Sequence, residues 1–563
     1  MTPHHDLLLE RYPDLAFALA HTPIQNWKAA AYACPNHLDA VDVVYFMGID
    51  PLSVQTLFES WLQKNRVLFL LDDRLEAFRA LLNLSCAEAL LKNSQVRWVW
   101  VRGDWEQVLD ECVQAVPALS VEVLGTFRRK FRLQLMRKVA VTDAQDKEIL
   151  YAHRLLDNVW TNLTRLSSSF LANALRGQFA NIPAIICGAG PSLNKSVGYL
   201  RELEDRALIL GGGSAITALS NQGIVPHLGL VLDPNPEEYD RLRGMSAFEM
   251  PMLYGTRVQK DVFNTGNGAL GYLRSCTGGS CEAFFERKAG LDIEPIGPEM
   301  GEEAFSVTTL AVALAVAMGC NPIVLAGVDL AYTGMERYAS GVMASSRVQA
   351  KELRKEKRAP DRLLRRKNGE GKWVYTQVRW VMESKAISAY AKQHPHIQWI
   401  NVSTEALGFE GIETKSFEEV IHQNLTRFFD LRAMVHQQIA LAGKMQVELE
   451  PYLAEVMASL ERLMVMAKEF LEEVERLQQI PFDAEAPFPT GKMVVLQLDV
   501  EEEPAFDCFF GHIGSALDRY AARCHPVEVG MTPSLQRQLT LRRHAAKWNY
   551  ILKQCEEISV ARN

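Results

Sequence analysis

The sequence predicts an α/β protein in three parts: a Rossmann-like N-terminal domain, a central α/β domain and a mainly helical C-terminal domain. Three observations lead there. Apolar runs alternate with amphipathic segments from about residue 41, Gly-rich turns close the central runs, and beyond about residue 420 long segments of helical period replace them. The predicted divisions are 1–125 for the Rossmann-like domain, 126–180 for a helical connector, 181–420 for the central domain and 421–563 for the helical one.

In the first domain VDVVYFMGI (41–49), VLFLLDD (67–73) and VRWVWVRG (96–103) read as strands, separated by helices through LSVQTLFESWLQ and LEAFRALLNLSCAEALLKN. Continuous apolar strands between helices indicate a parallel sheet covered on both faces. FRRKFRLQLMRKVAV and LLDNVWTNLTRLSSSFLANAL follow as helix with no strand between them. The central strands are IPAIICG (182–188), ALILGGG (207–213), LGLVLD (228–233), PMLYGT (251–256), PIVLAGVD (322–329) and IQWINV (397–402).

SVTTLAVALAVAMGCNPIVLAGV (306–328) approaches membrane-spanning length, but Gly319, Asn321 and Pro322 divide it into a buried helix and a buried strand. The basic run RVQAKELRKEKRAPDRLLRRK (347–367) reads as a mobile or solvated loop inserted in the central domain. It is either a solvated charged helix or a grip on phosphate or an acidic partner. VELEPYLAEVMASLERLMVMAKEFLEEVERLQQ typifies the last part, which reads as a helical bundle.

Bulk properties narrow the function. The 563 residues exceed what one hydrophobic core serves, and 60 basic against 68 acidic residues give a net charge of -8. Nothing global draws such a chain to nucleic acid or an anionic membrane. The 10 cysteines are scattered without a CxxC, which argues against a zinc site or a disulfide framework. MTPHHDLLLERYPDLAF lacks the basic start and apolar core of a secretory signal, so a cytoplasmic location is expected.

Candidate chemistry gathers at the ends of central strands. The first ends in Gly188-Ala189-Gly190-Pro191-Ser192, the second in Gly213-Ser214, the third in Asp233-Pro234-Asn235, and a further one in Asp329, with Tyr332, Arg337 and Tyr338 on its loop. In a doubly wound sheet such ends line one crevice, and glycines at a helix start let backbone N–H groups meet a phosphate. Tyrosine hydroxyls and an arginine there could hold a departing phosphate. The first domain has GIDP after its first strand and no GxGxxG, so its expected role is support or docking.

GAGPSL, GIVPHLGLVLDP, TLAVALAVAMGCNPIVLAGVDLAYTG, WVYT and INVSTEALGFEGI together resemble the motility-associated factor (Maf) flagellin glycosyltransferases. The central domain of that family is shared with MptE-like pterin pyrophosphokinases, and its motifs also resemble the small bacterial sialyltransferases. The resemblance covers residues of about 180 to 420. It implies a sialyltransferase-like central domain that transfers a nonulosonic acid from its CMP-activated form to Ser or Thr of a protein acceptor such as flagellin. It also implies nucleotide binding by Gly188, Gly190, Pro191, Ser192, Gly213, Ser214 and Asp233, and catalysis by Tyr332 and Tyr338, to which Asp329 is added as a candidate catalytic residue. No cofactor and no metal would be required beyond the CMP-sugar donor. The acceptor would dock through the helical C-terminal domain, with no nucleic acid and no membrane insertion.

The departures from those families are specific. Where the sialyltransferases place a histidine base, GKWVYTQVRW offers Thr376, which cannot serve as a base near neutral pH. Asp329, Glu299 and Glu383 are the alternative proton acceptors, whereas His227, at a strand entry, is expected to be structural. The family's Gly-Gly-Ser segment reads GEEAFSVTT, with Glu302 and Glu303 unsuited to a phosphate site. Two alternatives therefore stay open: a non-catalytic nucleotide-sugar binder or scaffold, and an MptE-like hydroxymethylpterin pyrophosphokinase in which Asp233 and Asp329 jointly hold a divalent ion.

Overall fold

A computed structural model describes residues 4–21, 38, 41–62, 66–116, 118, 120–150, 152–276, 278–300, 306–353, 355–356, 358–482, 488–525 and 532–560. Glu302 and Glu303 lie outside these residues.

The first sheet is parallel with the order β3-β2-β1-β4, formed by β1 (Val43–Met47), β2 (Val67–Asp72), β3 (Val96–Trp100) and β4 (Val121–Leu124). All five residues of β1 are buried. Alternate side chains feed two cores, Val44 and Phe46 on one face, Val43, Tyr45 and Met47 on the other. This is why the strand reads as an unbroken apolar run. The unexpected strand is β4, four residues long with a buried Glu122 in the middle.

The second sheet has nine parallel strands in the order β15-β14-β11-β6-β7-β8-β9-β10-β5. They are β5 (Phe170–Leu171), β6 (Ala184–Cys187), β7 (Leu208–Gly212), β8 (Leu228–Val231), β9 (Met252–Tyr254), β10 (Leu270–Tyr272), β11 (Ile323–Ala326), β14 (Trp399–Asn401) and β15 (Glu413–Thr414). Each of the six expected central strands is present and shorter than its apolar run; β5, β10 and β15 add two or three residues each at the sheet's edges. The apolar stretch divides as expected, into the helix Val307–Ala317 and β11, with Gly319 at φ +83° turning the chain between them.

The basic run is not a loop or a charged helix throughout. After the one-turn helix Ala350–Leu353 it forms β12 (Leu363–Lys367), antiparallel to β13 (Trp373–Gln377). This ribbon is pinned to the first domain: Arg362 is paired with Glu122 and donates to the carbonyl of Val121 at 2.8 Å, and Leu364 is buried in the core shared with Val121 and Val123. Packing of one leucine face is what overrides the charge.

Beyond residue 430 the described chain is helical, with Glu450–Gln479 and Pro533–Val560 as its long members. Leu460, Leu463, Ala467 and Phe470 of the first meet Trp548, Ile551 and Cys555 of the second, with Phe470 and Trp548 stacked at 4.3 Å. Among the described residues no helix is long and apolar enough to cross a membrane.

Candidate functional site

In the central sheet β6 is flanked by β7, which follows it, and by β11, which comes much later in the chain. The strand order therefore reverses direction between β6 and β11, the position at which open α/β sheets form a crevice at their carboxyl ends. The two loops that leave this point are locked together. Ser192 donates its backbone N–H to Oδ2 of Asp329 at 3.0 Å and its hydroxyl to Oδ1, while Ser403, after β14, accepts the N–H of Gly327 at 3.1 Å.

The glycines of the first loop have an immediate packing role. A Cβ on Gly188 would lie 2.5 Å from the carbonyl oxygen of Gly327, and one on Gly190 would lie 2.5 Å from Cγ of Asp329. Close approach of one backbone to the next strand's loop thus accounts for both positions. Ser192 opens the helix Leu193–Arg201 but spends its side chain on Asp329 rather than on the helix cap. Burial pushes the pKa of Asp329 up, against the two hydrogen bonds from Ser192.

One strand further along, Gly213 takes φ +48° at the end of β7, and Ser214 behind it is buried. Asp233, after β8, accepts the N–H of Asn235 at 3.0 Å and faces Arg241 at 3.5 Å. The connector holds this loop and the next from beneath: Asn158 donates to the carbonyl of Pro234 at 3.0 Å, and Asn162 to those of Thr256 and Val258 after β9. Three inter-strand spacings, roughly 14 Å, separate the ends of β8 and β11. Asp233 and Asp329 are consequently not a shared ligand pair, and among the described residues no cluster of three potential metal ligands occurs.

Glu238 is the residue sequence reasoning missed. It is 1 % exposed, and a Cβ on Gly213 would stand 3.2 Å from its Oε1, which has no hydrogen-bond partner. Oε2 receives Nη1 of Arg241 at 3.3 Å. Burial, seconded by Asp233, raises its pKa to about 7. In PEEYDRL it resembles any acidic first turn, and only the glycine at 213 opposite it marks it out.

On the β11 side, Tyr332 is buried with its ring edge-on to Trp380 at 4.8 Å, and Gln377 Nε2 donates to its hydroxyl at 2.5 Å. Because the phenol oxygen accepts there, its proton stays available to another acceptor. Burial raises its pKa against the pull of Arg337. Tyr338 is half-buried further along the loop, tied through its backbone to Ser346 at 3.0 Å.

The remaining base candidates separate cleanly. Glu383 is buried, accepts from the hydroxyl of Ser306 at 2.6 Å, and is pushed up to about 7 by burial. Ser306 caps the helix Val307–Ala317, whose first residue packs on Gly212. Glu383 therefore belongs to the crevice. Glu299 is exposed and acts electrostatically on Tyr390 and His394, toward the amino ends of the strands. Thr376 donates to the carbonyl of Leu330 at 2.6 Å and is committed to structure. His227 lies at the amino end of β8, away from the crevice, where its Nδ1 accepts the N–H of Ile209 at 2.9 Å, and burial lowers its pKa to about 4.

A family model described as 6-hydroxymethylpterin diphosphokinase MptE-like matches residues 154–335. One solved structure, described as a MAf glycosyltransferase from Magnetospirillum magneticum AMB-1, shares 14% identity over 99% of this chain and 94% of its own, with a TM-score of 0.48. No curated protein matches. The matched segment includes Asn158, Ser192, Gly213, Asp233, Glu238, Asp329 and Tyr332, so the greater part of the crevice lies in a stretch of chain similar to the MptE-like family.

Proposed function

We propose that this chain is a Maf-type protein O-glycosyltransferase that moves a nonulosonic acid from its CMP-activated form to Ser or Thr of a protein acceptor such as flagellin, in the cytoplasm. The observation that supports this reading best is the row of groups at the carboxyl ends of β11, β6, β7 and β8: Tyr332 and Asp329, Ser192, Gly213, then Asp233 with the buried Glu238. Such a row offers donors for a phosphate at one end and a proton acceptor at the other.

In the reaction the acceptor oxygen bonds to the anomeric carbon while the bond from that carbon to the CMP oxygen breaks, and CMP leaves with the electron pair. The acceptor's hydroxyl proton passes to a carboxylate. Glu238 and Glu383, both titrating at about 7, are the carboxyls matched to proton transfer at neutral pH. Tyr332 donates to the departing phosphate, where charge builds up in the transition state. The helical C-terminal domain is the proposed dock for the acceptor protein.

A second reading is favoured by the family model itself: transfer of pyrophosphate from ATP to a hydroxymethylpterin. Isothermal calorimetry with CMP and with ATP, each with and without magnesium, on the wild type and a Ser192→Ala, Asp233→Ala double variant, tests both. CMP binding without metal that is lost in the variant is expected. Binding of ATP alone, followed by AMP release with the pterin, would replace the first reading by the second. No binding of either would leave a scaffold.

A further inference from the structure

A cluster of arginines lies outside the central crevice. The helix Arg128–Leu150 leaves the carboxyl end of β4 and presents Arg128, Arg129 and Arg132 to a cavity of about 340 Å³, whose facing wall is Leu364 and Arg366 of β12. Arg362 stands beside it, paired with Glu122. Glu122 is the carboxylate that these arginines share: Arg132 Nε is 3.5 Å and Arg128 4.0 Å from it. Among the described residues no carboxylate pairs with Arg129 or Arg366.

The charge is therefore heavily unbalanced in a partly enclosed space. Arg132 Nε is buried with no hydrogen bond. Burial lowers the pKa of Arg132 and, despite Glu122, the crowding of Arg362, Arg128 and Arg366 lowers it further. The basic residues also open their helix with no acid in its first turn, at the end where the helix dipole disfavours positive charge. Stability alone does not select this arrangement; an anion in the cavity relieves every one of these repulsions.

We propose that this cavity, walled by Arg128, Arg129, Arg132 and Arg366, binds the phosphate groups of a small di- or polyphosphate compound. Guanidinium forks match phosphate oxygens two at a time, which favours phosphate over a halide. The volume is at the small end of ligand pockets, which suits a small phosphate compound and is too small for a folded partner. The greasy floor of Leu133, Met136 and Leu364 leaves the arginines as the groups that hold the ligand.

The test is calorimetry on the full chain with inorganic pyrophosphate and, separately, with ADP. It compares the wild type with Arg129→Ala/Arg366→Ala, which leaves the Arg362–Glu122 pair intact, and with Arg129→Lys/Arg366→Lys. Saturable pyrophosphate binding, weakened by about tenfold or more in the alanine variant and partly restored in the lysine one, is expected. ADP binding more tightly than pyrophosphate with the same arginine dependence assigns a nucleotide source; equal binding assigns the phosphates alone. No saturable binding of either probe to the wild type, or binding unchanged in the alanine variant but lost in Ser192→Ala, overturns the proposal.

Discussion

Ser192 and Asp329, 137 positions apart in sequence, are joined by two hydrogen bonds that fasten the loop after β6 to the loop after β11. Removing the hydroxyl leaves Oδ1 of a carboxyl that is 2 % exposed without this donor. Ser192→Ala is expected to lower the unfolding free energy by about 1–3 kcal/mol, measured as a shift of the urea midpoint. An unchanged midpoint would show that the pair does not hold the crevice.

Two glycines of the same strand–helix unit give opposite expectations. Gly190→Ala places a methyl 2.5 Å from Cγ of Asp329 and 2.7 Å from the carbonyl oxygen of Gly327, so the loops must part, at about 1–3 kcal/mol. Gly198→Ala, inside the helix Leu193–Arg201 with nothing within 4 Å, is expected to stabilise by about 0.5–1 kcal/mol. Thermal unfolding of the two variants side by side checks the sign of each.

Glu238 and Glu383 both titrate at about 7 instead of 4.5 because burial penalises their charged forms. The folded chain then holds protons that the unfolded chain releases. Their contribution is fully present below about pH 4.5 and is lost as pH rises through 7. Each displacement corresponds to roughly 3 kcal/mol at most. Denaturation at pH 5 and pH 8 is expected to show wild-type stability falling toward pH 8, and Glu238→Gln and Glu383→Gln each to flatten that slope; parallel slopes in all three proteins would count against buried, shifted carboxyls.

Tyr332→Phe retains the ring against Trp380 and takes away only the hydroxyl that Gln377 meets. Stability is expected to change by about 1 kcal/mol or less, whereas sugar transfer falls on the order of 100-fold if the phenol proton meets the leaving phosphate. Steady-state kinetics on a CMP-sugar and a protein acceptor measure this, and an unaltered turnover would remove Tyr332 from the chemistry.

The parallel strands were legible because burial on two faces leaves only apolar residues in Val43–Met47, Ala184–Cys187 and Ile323–Ala326. Periods of two or 3.6 need several residues to show, so Phe170–Leu171 and Glu413–Thr414 carry no such signal. In Leu363–Lys367 a single buried leucine decides the strand while three neighbours, Arg365, Arg366 and Lys367, advertise charge. The glycines and Ser192 could be found from strand ends, but their contacts with Gly327 and Asp329 are tertiary facts. Glu238 was illegible for the same reason: its chemistry comes from what covers it.

The ribbon of β12 and β13 is shared by two places that the chain otherwise keeps apart. Arg366 walls the arginine-lined cavity, and one rung along the ladder Arg365 faces Tyr375, whose carbonyl accepts the N–H of Tyr332 at 2.8 Å. Leu364 anchors the middle of this rod in the first domain's core. One short hairpin thus lends a side chain to the cavity and a carbonyl to the crevice tyrosine, so excising it would take support from both places at a stroke.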